Sequence, residues 1–314
     1  MEQQLENKTY RARKEGGLER MSASEISFKV LAYLFIGVFA LLCLYPLIYS
    51  FSAAISGRVA FDSGSVVLWP VNVQWEALNE VVHTKYFWVA YCNTFFVTLF
   101  GTVYMMIISI LGAYALSKKR LFGNKFFNFL LIFTMWFSAG TIPMYLNYIQ
   151  TRTILAGMGI ADQKWLIVLA MGMSAFNVIL LRNAFDSVPK EIEEAAVVDG
   201  ANDFQIMSKI YVPMSKATVA TVALFFGISR WNGYFWAYKT VDNIYDFPLQ
   251  VVIQSEIEQI EQESAAGGTN YVGAYAPMSI AYSMIICAII PVLIIYPFIQ
   301  KYFAAGVNLG GVKE

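Results

Sequence analysis

The chain has 314 residues, 58% hydrophobic and 14% charged, with 22 Lys+Arg balancing 22 Asp+Glu. Soluble chains carry about 25% charged residues, so the deficit points to a bilayer protein, and the balanced charge makes no case for a nucleic-acid partner. A single histidine, His83, excludes a histidine-based triad or a two-histidine metal site. Cys43, Cys92 and Cys287 lie far apart inside apolar runs and read as buried structural thiols rather than metal ligands.

Residues 1–28 are polar and mixed in charge, too long and too acidic for a signal n-region, so the first apolar run is expected to stay as an anchor. A helix needs about 20 apolar residues to cross the hydrocarbon core. Six stretches meet this, at about 30–55, 87–117, 126–149, 165–185, 218–238 and 280–303, the fifth carrying Arg230 and Asn232. No alternation of polarity competes, which argues against a β-barrel. The expected fold is all-α, an integral membrane protein with six transmembrane helices.

Charge asymmetry orients these spans. Lys8, Arg11, Arg13, Lys14, Arg20 and Lys29 precede the first span. Lys118, Lys119, Arg120 and Lys125 follow the second, Lys190, Lys209 and Lys216 the fourth, and Lys301 and Lys313 close the chain. The opposite side has few cations, and its 240–278 loop carries Asp242, Asp246, Glu256, Glu258, Glu261 and Glu263 with no Lys or Arg. Both termini are therefore expected in the cytoplasm of a cell-membrane protein. The 118–120 run reads as an orientation signal or a lipid site.

The cytoplasmic loop of about 186–213 is unusual for a membrane connector. Pro189 suits a helix start, and Glu191, Glu193 and Glu194 complement its positive dipole end. Gly200 can close that helix in the left-handed region, and Asn202 or Asp203 can cap the next, with Gln205 as partner to Asn202. Phe204, Met207, Ile210 and Tyr211 recur at helical spacing on one face, and Pro213 is expected to stop the pattern. Two short helices presenting Ala195 and Ala196 fit a rigid docking element or, alternatively, an amphipathic connector on the bilayer.

Glu194-Ala195-Ala196, Gly200, Ile210 and Pro213 resemble the EAA loop of binding-protein-dependent ABC importer permeases, departing from its pattern at Val212, where the pattern has Leu. The span order, Trp231-Asn232 and the tail 296–303 look like the carbohydrate branch, similar to maltose-transporter permeases, with the tail nearest a subgroup handling oligosaccharides, uronate-containing ones among them. The resemblance implies a type I importer architecture, with a tail 1–28 and a permease domain 29–314. By the same resemblance Glu194, Ala195, Ala196, Gly200, Ile210 and Pro213 make the joint with an ATPase. It further implies two ATPase subunits holding ATP and Mg, a second and different permease, an extracytoplasmic substrate-binding protein and an oligosaccharide substrate. No Walker-type motif occurs in the chain, so nucleotide is expected elsewhere.

Polar residues inside spans are the candidates for a substrate cavity, because lipid burial of such groups is costly. They are Arg230, Asn232 and Tyr234, then Asn177, Asn147 and Tyr148. Aromatic faces beside amides and a guanidinium suit sugar rings, and Arg230 would suit an anionic sugar. The alternative is a packed helix interface, with Trp236 and Tyr238 in an aromatic belt. The 240–278 loop suits contact with the binding protein or serves as a solvated spacer, its 254–263 stretch forming an exposed helix. A peptide or polyamine permease is the nearest alternative function. A secondary transporter would often show internal repeats or intramembrane acids, and a membrane enzyme would need clustered His, Asp and Glu; none of these is apparent in the sequence.

Overall fold

The computed structural model describes residues 23–266 and 273–308. Most of the 1–28 tail, the Gly267-Gly268 pair, Lys313 and the side chains of the 296–303 tail beyond Pro297 lie outside the described residues. Among the described residues the fold is all-helical, with one isolated bridge between Gly57 and Tyr275. In chain order the helices are α1 (Ala23–Ala54), α2 (Arg58–Asp62), α3 (Glu76–His83), α4 (Lys85–Ser117), α5 (Asn124–Trp136), α6 (Thr141–Gly157) and α7 (Lys164–Ala170). They continue as α8 (Ala175–Asp186), α9 (Lys190–Val198), α10 (Asp203–Met214), α11 (Lys216–Trp231), α12 (Phe235–Thr240), α13 (Leu249–Ala265) and α14 (Pro277–Asn308).

Among the described residues three helices are single apolar rods long enough to cross a membrane: 26–54, 85–117 and 277–297. The other expected spans are not straight. The 126–149 stretch breaks between α5 and α6 with a bend of 110°, where Gly140 takes φ 88°, a region open mainly to glycine. The 165–185 stretch breaks between α7 and α8 with a bend of 55°. The 218–238 stretch ends as α11 at Trp231 and resumes as α12 at Phe235. Mean hydropathy over a window registers none of these breaks, because the flanking residues stay apolar through them.

α4 is the spine of the molecule. Its small or polar positions Ala90, Asn93, Thr94, Gly101, Ser109 and Ala113 are buried, and small side chains let neighbouring helix backbones come close. α7, α8, α11 and α13 pack around it. Tyr114, Val178, Phe185, Ile206, Met207, Tyr211 and Phe226 form one apolar cluster, and Phe87, Leu249, Val252 and Met284 another toward the opposite end of α4. α1 leaves its apolar surface uncovered and packs against α14, where Ser279 Oγ donates to Ala53 O at 3.0 Å and the Tyr49 and Tyr282 rings meet edge-on at 5.7 Å.

Cys43 and Cys92 are exposed and Cys287 half-buried, which corrects the expectation of buried thiols. An apolar run in such a chain faces outward as readily as inward. α13 is likewise not simply exposed: Leu249, Val251, Val252, Ile253 and Ile260 bury one face, while Glu261 and Glu263 stay outside. Its Glu258 accepts from Tyr238 Oη at 2.6 Å and from Gln254 at 2.9 Å.

Candidate functional site

The 186–213 segment folds as two helices joined at Gly200. Pro189 stands at the N-cap of α9, with Glu191 and Glu193 in the first turn. The helix closes as Gly200 adopts φ 79°, its N–H donating to Val197 O at 3.0 Å. Asn202 and Gln205 form a reciprocal capping box at the start of α10, with bonds of 2.9 and 3.0 Å. A π-helical turn over Met207–Tyr211 follows, and Val212 N–H reaches back to Met207 O. Helical structure therefore runs through Pro213 and turns by 88° at Ser215, two residues later than the sequence suggests.

The wider π repeat also rotates the first turn of α10 relative to its last. Ile206, Met207 and Tyr211 are buried with Ile210 packed beside them, whereas Phe204 is 68% exposed and does not share their face. On α9, Glu194, Ala195, Val197 and Val198 face outward, with Val198 87% exposed, while Ala196 packs against the apolar cluster. The two helices thus present a ridge of small and apolar side chains beside carboxylates.

This loop is fastened to the end of α4. Lys118 follows the last residue of α4, and its Nζ lies 2.8 Å from Glu193 Oε1, 3.7 Å from the Tyr211 ring centroid and 4.4 Å from that of Tyr114. Tyr211 Oη donates to Glu193 Oε2 at 2.6 Å. Arg120 pairs with Asp203, to which Tyr114 Oη also donates at 3.4 Å. Burial alone would push the Glu193 carboxyl up, but the bonds from Lys118 and Tyr211 and the nearby cations outweigh it and hold the group below its ordinary value. Burial pulls the Lys118 ammonium below its usual range despite the same ion pair, because Lys118 is the deeper partner, its side chain 10% exposed against 21% for Glu193. A cleft of about 730 Å³ opens alongside, lined by Lys119, Arg182, Phe185, Lys190, Glu194 and Val197 among others. The sequence gives the 118–120 cations no partner, since theirs lie some 80 positions away.

The residues expected to line a substrate cavity fall into two groups. Arg230, Asn177 and Tyr148 are 4, 5 and 0% exposed. Arg230 clamps the C-terminal end of α7, at the edge of its break from α8. Its Nη1 donates to Ile167 O at 2.7 Å, and its Nη2 lies 3.3 Å from Val168 O and 3.4 Å from Met171 O. Asn147 Nδ2 adds a bond to Ala170 O at 2.8 Å, and Ser174 caps α8 through Asn177 N. A break at membrane depth is tolerated where protein groups satisfy its freed backbone, and these side chains do so. Tyr148 stacks on Trp236 at 5.1 Å with planes 13° apart. Asn232 and Tyr234, at the joint between α11 and α12, are exposed.

The family model of the binding-protein-dependent transport system inner membrane component matches residues 25–309. The chain belongs to this family. The permease is accordingly a multi-pass inner-membrane component, and its family is one of transport proteins rather than enzymes. Among its relatives, the polygalacturonan/rhamnogalacturonan transport system permease protein YtcP of Bacillus subtilis (strain 168) is 35% identical over 289 residues, 91% of the permease and 98% of that protein. Protein LplC of the same organism is 30% identical over 287 residues, 91% and 95% of the two chains. A chain in the crystal structure of a bacterial ABC transporter involved in the import of the acidic polysaccharide alginate superposes with a TM-score of 0.78 at 42% identity, covering 90% of the permease and 99% of that chain.

Proposed function

We propose that the permease forms half of the translocation pathway of an ATP-driven importer of acidic oligosaccharides, and that the 186–213 loop seats it on a cytoplasmic ATPase subunit. The observation that carries this reading is the exposed ridge of α9, held on a loop braced by a left-handed glycine, a capping box and two links to α4. Glu194 and Ala195 offer charged and close contacts to the partner, and Ala196 and Ile210 seat the loop on the bundle. Gly200 sets the angle between its helices, and Pro213 lies just before the turn into α11. The substrate class is supported by the relatives, whose names specify polygalacturonan and rhamnogalacturonan in one case and alginate in another.

In this reading there are six spans with both termini cytoplasmic, the 1–28 segment being a tail and 29–314 the permease domain. Lipid and a second, different permease cover the open flank of α1, and an extracytoplasmic binding protein delivers the sugar. Two ATPase subunits hold ATP and Mg, and this chain holds no cofactor. Their closure would rock the spans between inward- and outward-facing arrangements. Asn232 and Tyr234 are the residues placed to meet substrate; Arg230, Asn177 and Tyr148 hold the neighbouring break in shape.

The test is ATP-dependent uptake of labelled oligogalacturonides and alginate oligosaccharides by the reconstituted complex. Wild type takes up the acidic sugars, while Gly200→Pro and Glu194→Lys abolish uptake and weaken retention of the ATPase subunits. Undiminished uptake and retention in both variants would make the loop a passive connector and end the assignment.

A further inference from the structure

We infer that Lys118 and Glu193 form a rigid joint through which motion of the docked loop reaches α4, so that the loop moves the spine of the permease directly. The inference rests on the docking reading above and adds to it the path of transmission. Covalently, the loop continues into α8 on one side and, through the 88° turn at Ser215, into α11 on the other. α4 has no such continuity, being separated from α9 by two further helical pairs along the chain. Its link to the loop is made by side chains.

Those side chains have the character of a joint and not of a surface contact. The Lys118 ammonium meets a carboxylate and two ring faces at once, and the carboxylate is itself held by Tyr211 Oη at 2.6 Å. A buried cation fixed from several directions has little freedom to slide. The contacts also reach both helices of the loop: Glu193 is on α9, whereas Tyr211 and Asp203 are on α10. Two points of attachment to one helix end restrain rotation as well as separation. Because α7, α8, α11 and α13 all pack on α4, a push delivered at Lys118 is carried to the end of α7 clamped by Arg230 and to the far end of the bundle.

The experiment uses the whole complex in proteoliposomes, with Cys43, Cys92 and Cys287 replaced by serine and nitroxides at Leu99→Cys on α4 and Lys190→Cys on α9. Pulsed EPR needs no sugar. The label separation is expected to be the same in the nucleotide-free and the ATP–vanadate-trapped complex, and to differ between those states in Lys118→Met. In the same vesicles Lys118→Met should leave ATP hydrolysis running while oligogalacturonide uptake per ATP falls about tenfold, within the range of ordinary allosteric couplings. A separation that changes with nucleotide in the wild type would overturn the joint. So would a Lys118→Met complex in which hydrolysis and uptake fall in proportion, the mark of a lysine that merely stabilises the fold, or one unchanged in both. Docking is read separately, from ATPase subunits retained on the purified complex: full retention and uptake in both Gly200→Pro and Glu194→Lys sink the docking reading, whereas normal docking with a mobile label pair sinks only the joint.

Discussion

Gly101 faces Arg230, and the pair allows a quantitative test of the clamp on α7. A Cβ added at residue 101 would lie 2.9 Å from Arg230 Nε, 3.1 Å from Cδ and 3.3 Å from Cζ. Carbon prefers such neighbours at about 3.5–4.0 Å, so the guanidinium must retreat. A loose arginine would yield easily, but this one is held by the backbone oxygens of Ile167, Val168 and Met171. The bonds to Val168 and Met171, at 3.3 and 3.4 Å, are already long and would break first. Two bonds from a charged donor at ~1.5 kcal/mol each amount to ~3 kcal/mol. Alanine is better than glycine inside a helix by ~1 kcal/mol, so Gly101→Ala should destabilise by a net ~2 kcal/mol. In an Arg230→Ala background the obstacle is gone, and the same substitution should stabilise by ~1 kcal/mol. Thermal loss of monodispersity of the purified complex reads both, at roughly 2 °C per kcal/mol for a chain of this size. An effect of the same sign and size in both backgrounds would refute the clamp, because helix propensity alone would then account for it.

Other expectations concern the loop and the break. Asn202→Ala removes half of the capping box and should cost ~1 kcal/mol, seen as faster hydrogen exchange in the first turn of α10 with α9 unaffected. Asn147→Leu strips Ala170 O of its donor; an unmet buried carbonyl costs ~1–3 kcal/mol, and a thiol placed at Gly172 should then be labelled faster than in the wild type. The Glu193 carboxyl titrates below its ordinary value of 4.5, so the unfolded chain takes up this proton first as pH falls. Its stabilising contribution is present at neutral pH, declines as pH falls through 4.5, and is lost below the folded value. Exchange protection of α9, corrected for intrinsic rates, should hold down to that window in wild type; loss nearer neutrality would contradict the ion pair.

The sequence was most legible where chemistry is local. Gly200, and Asn202 with Gln205, act on backbone groups within a few positions, so their pattern announces their geometry. The long apolar rods were legible for a different reason, since lipid rewards composition along the whole length. What escaped was long-range. Arg230 reads in the sequence as a cation without acceptors, because these come from about 60 positions upstream. The ion pairs of Lys118 and Arg120 are not visible in the sequence, because Glu193 and Asp203 arrive from across the fold. Phe204 was misplaced by a single irregular turn, since strict helical spacing assumes one repeat throughout. The bend at 137–140 includes a glycine at φ 88°, a backbone choice that an apolar stretch does not reveal.

The contact of α1 with α14 sets an order of assembly. Among the described helices, Ala53 and Tyr49 belong to the first to leave the ribosome, and Ser279 and Tyr282 to the last. During synthesis the first rod therefore waits in the bilayer with its own partner not yet made, while the spine and the broken spans gather beside it. The contact forms only with the final described segment, and a nascent chain stalled before residue 277 would leave α1 without the helix it packs against.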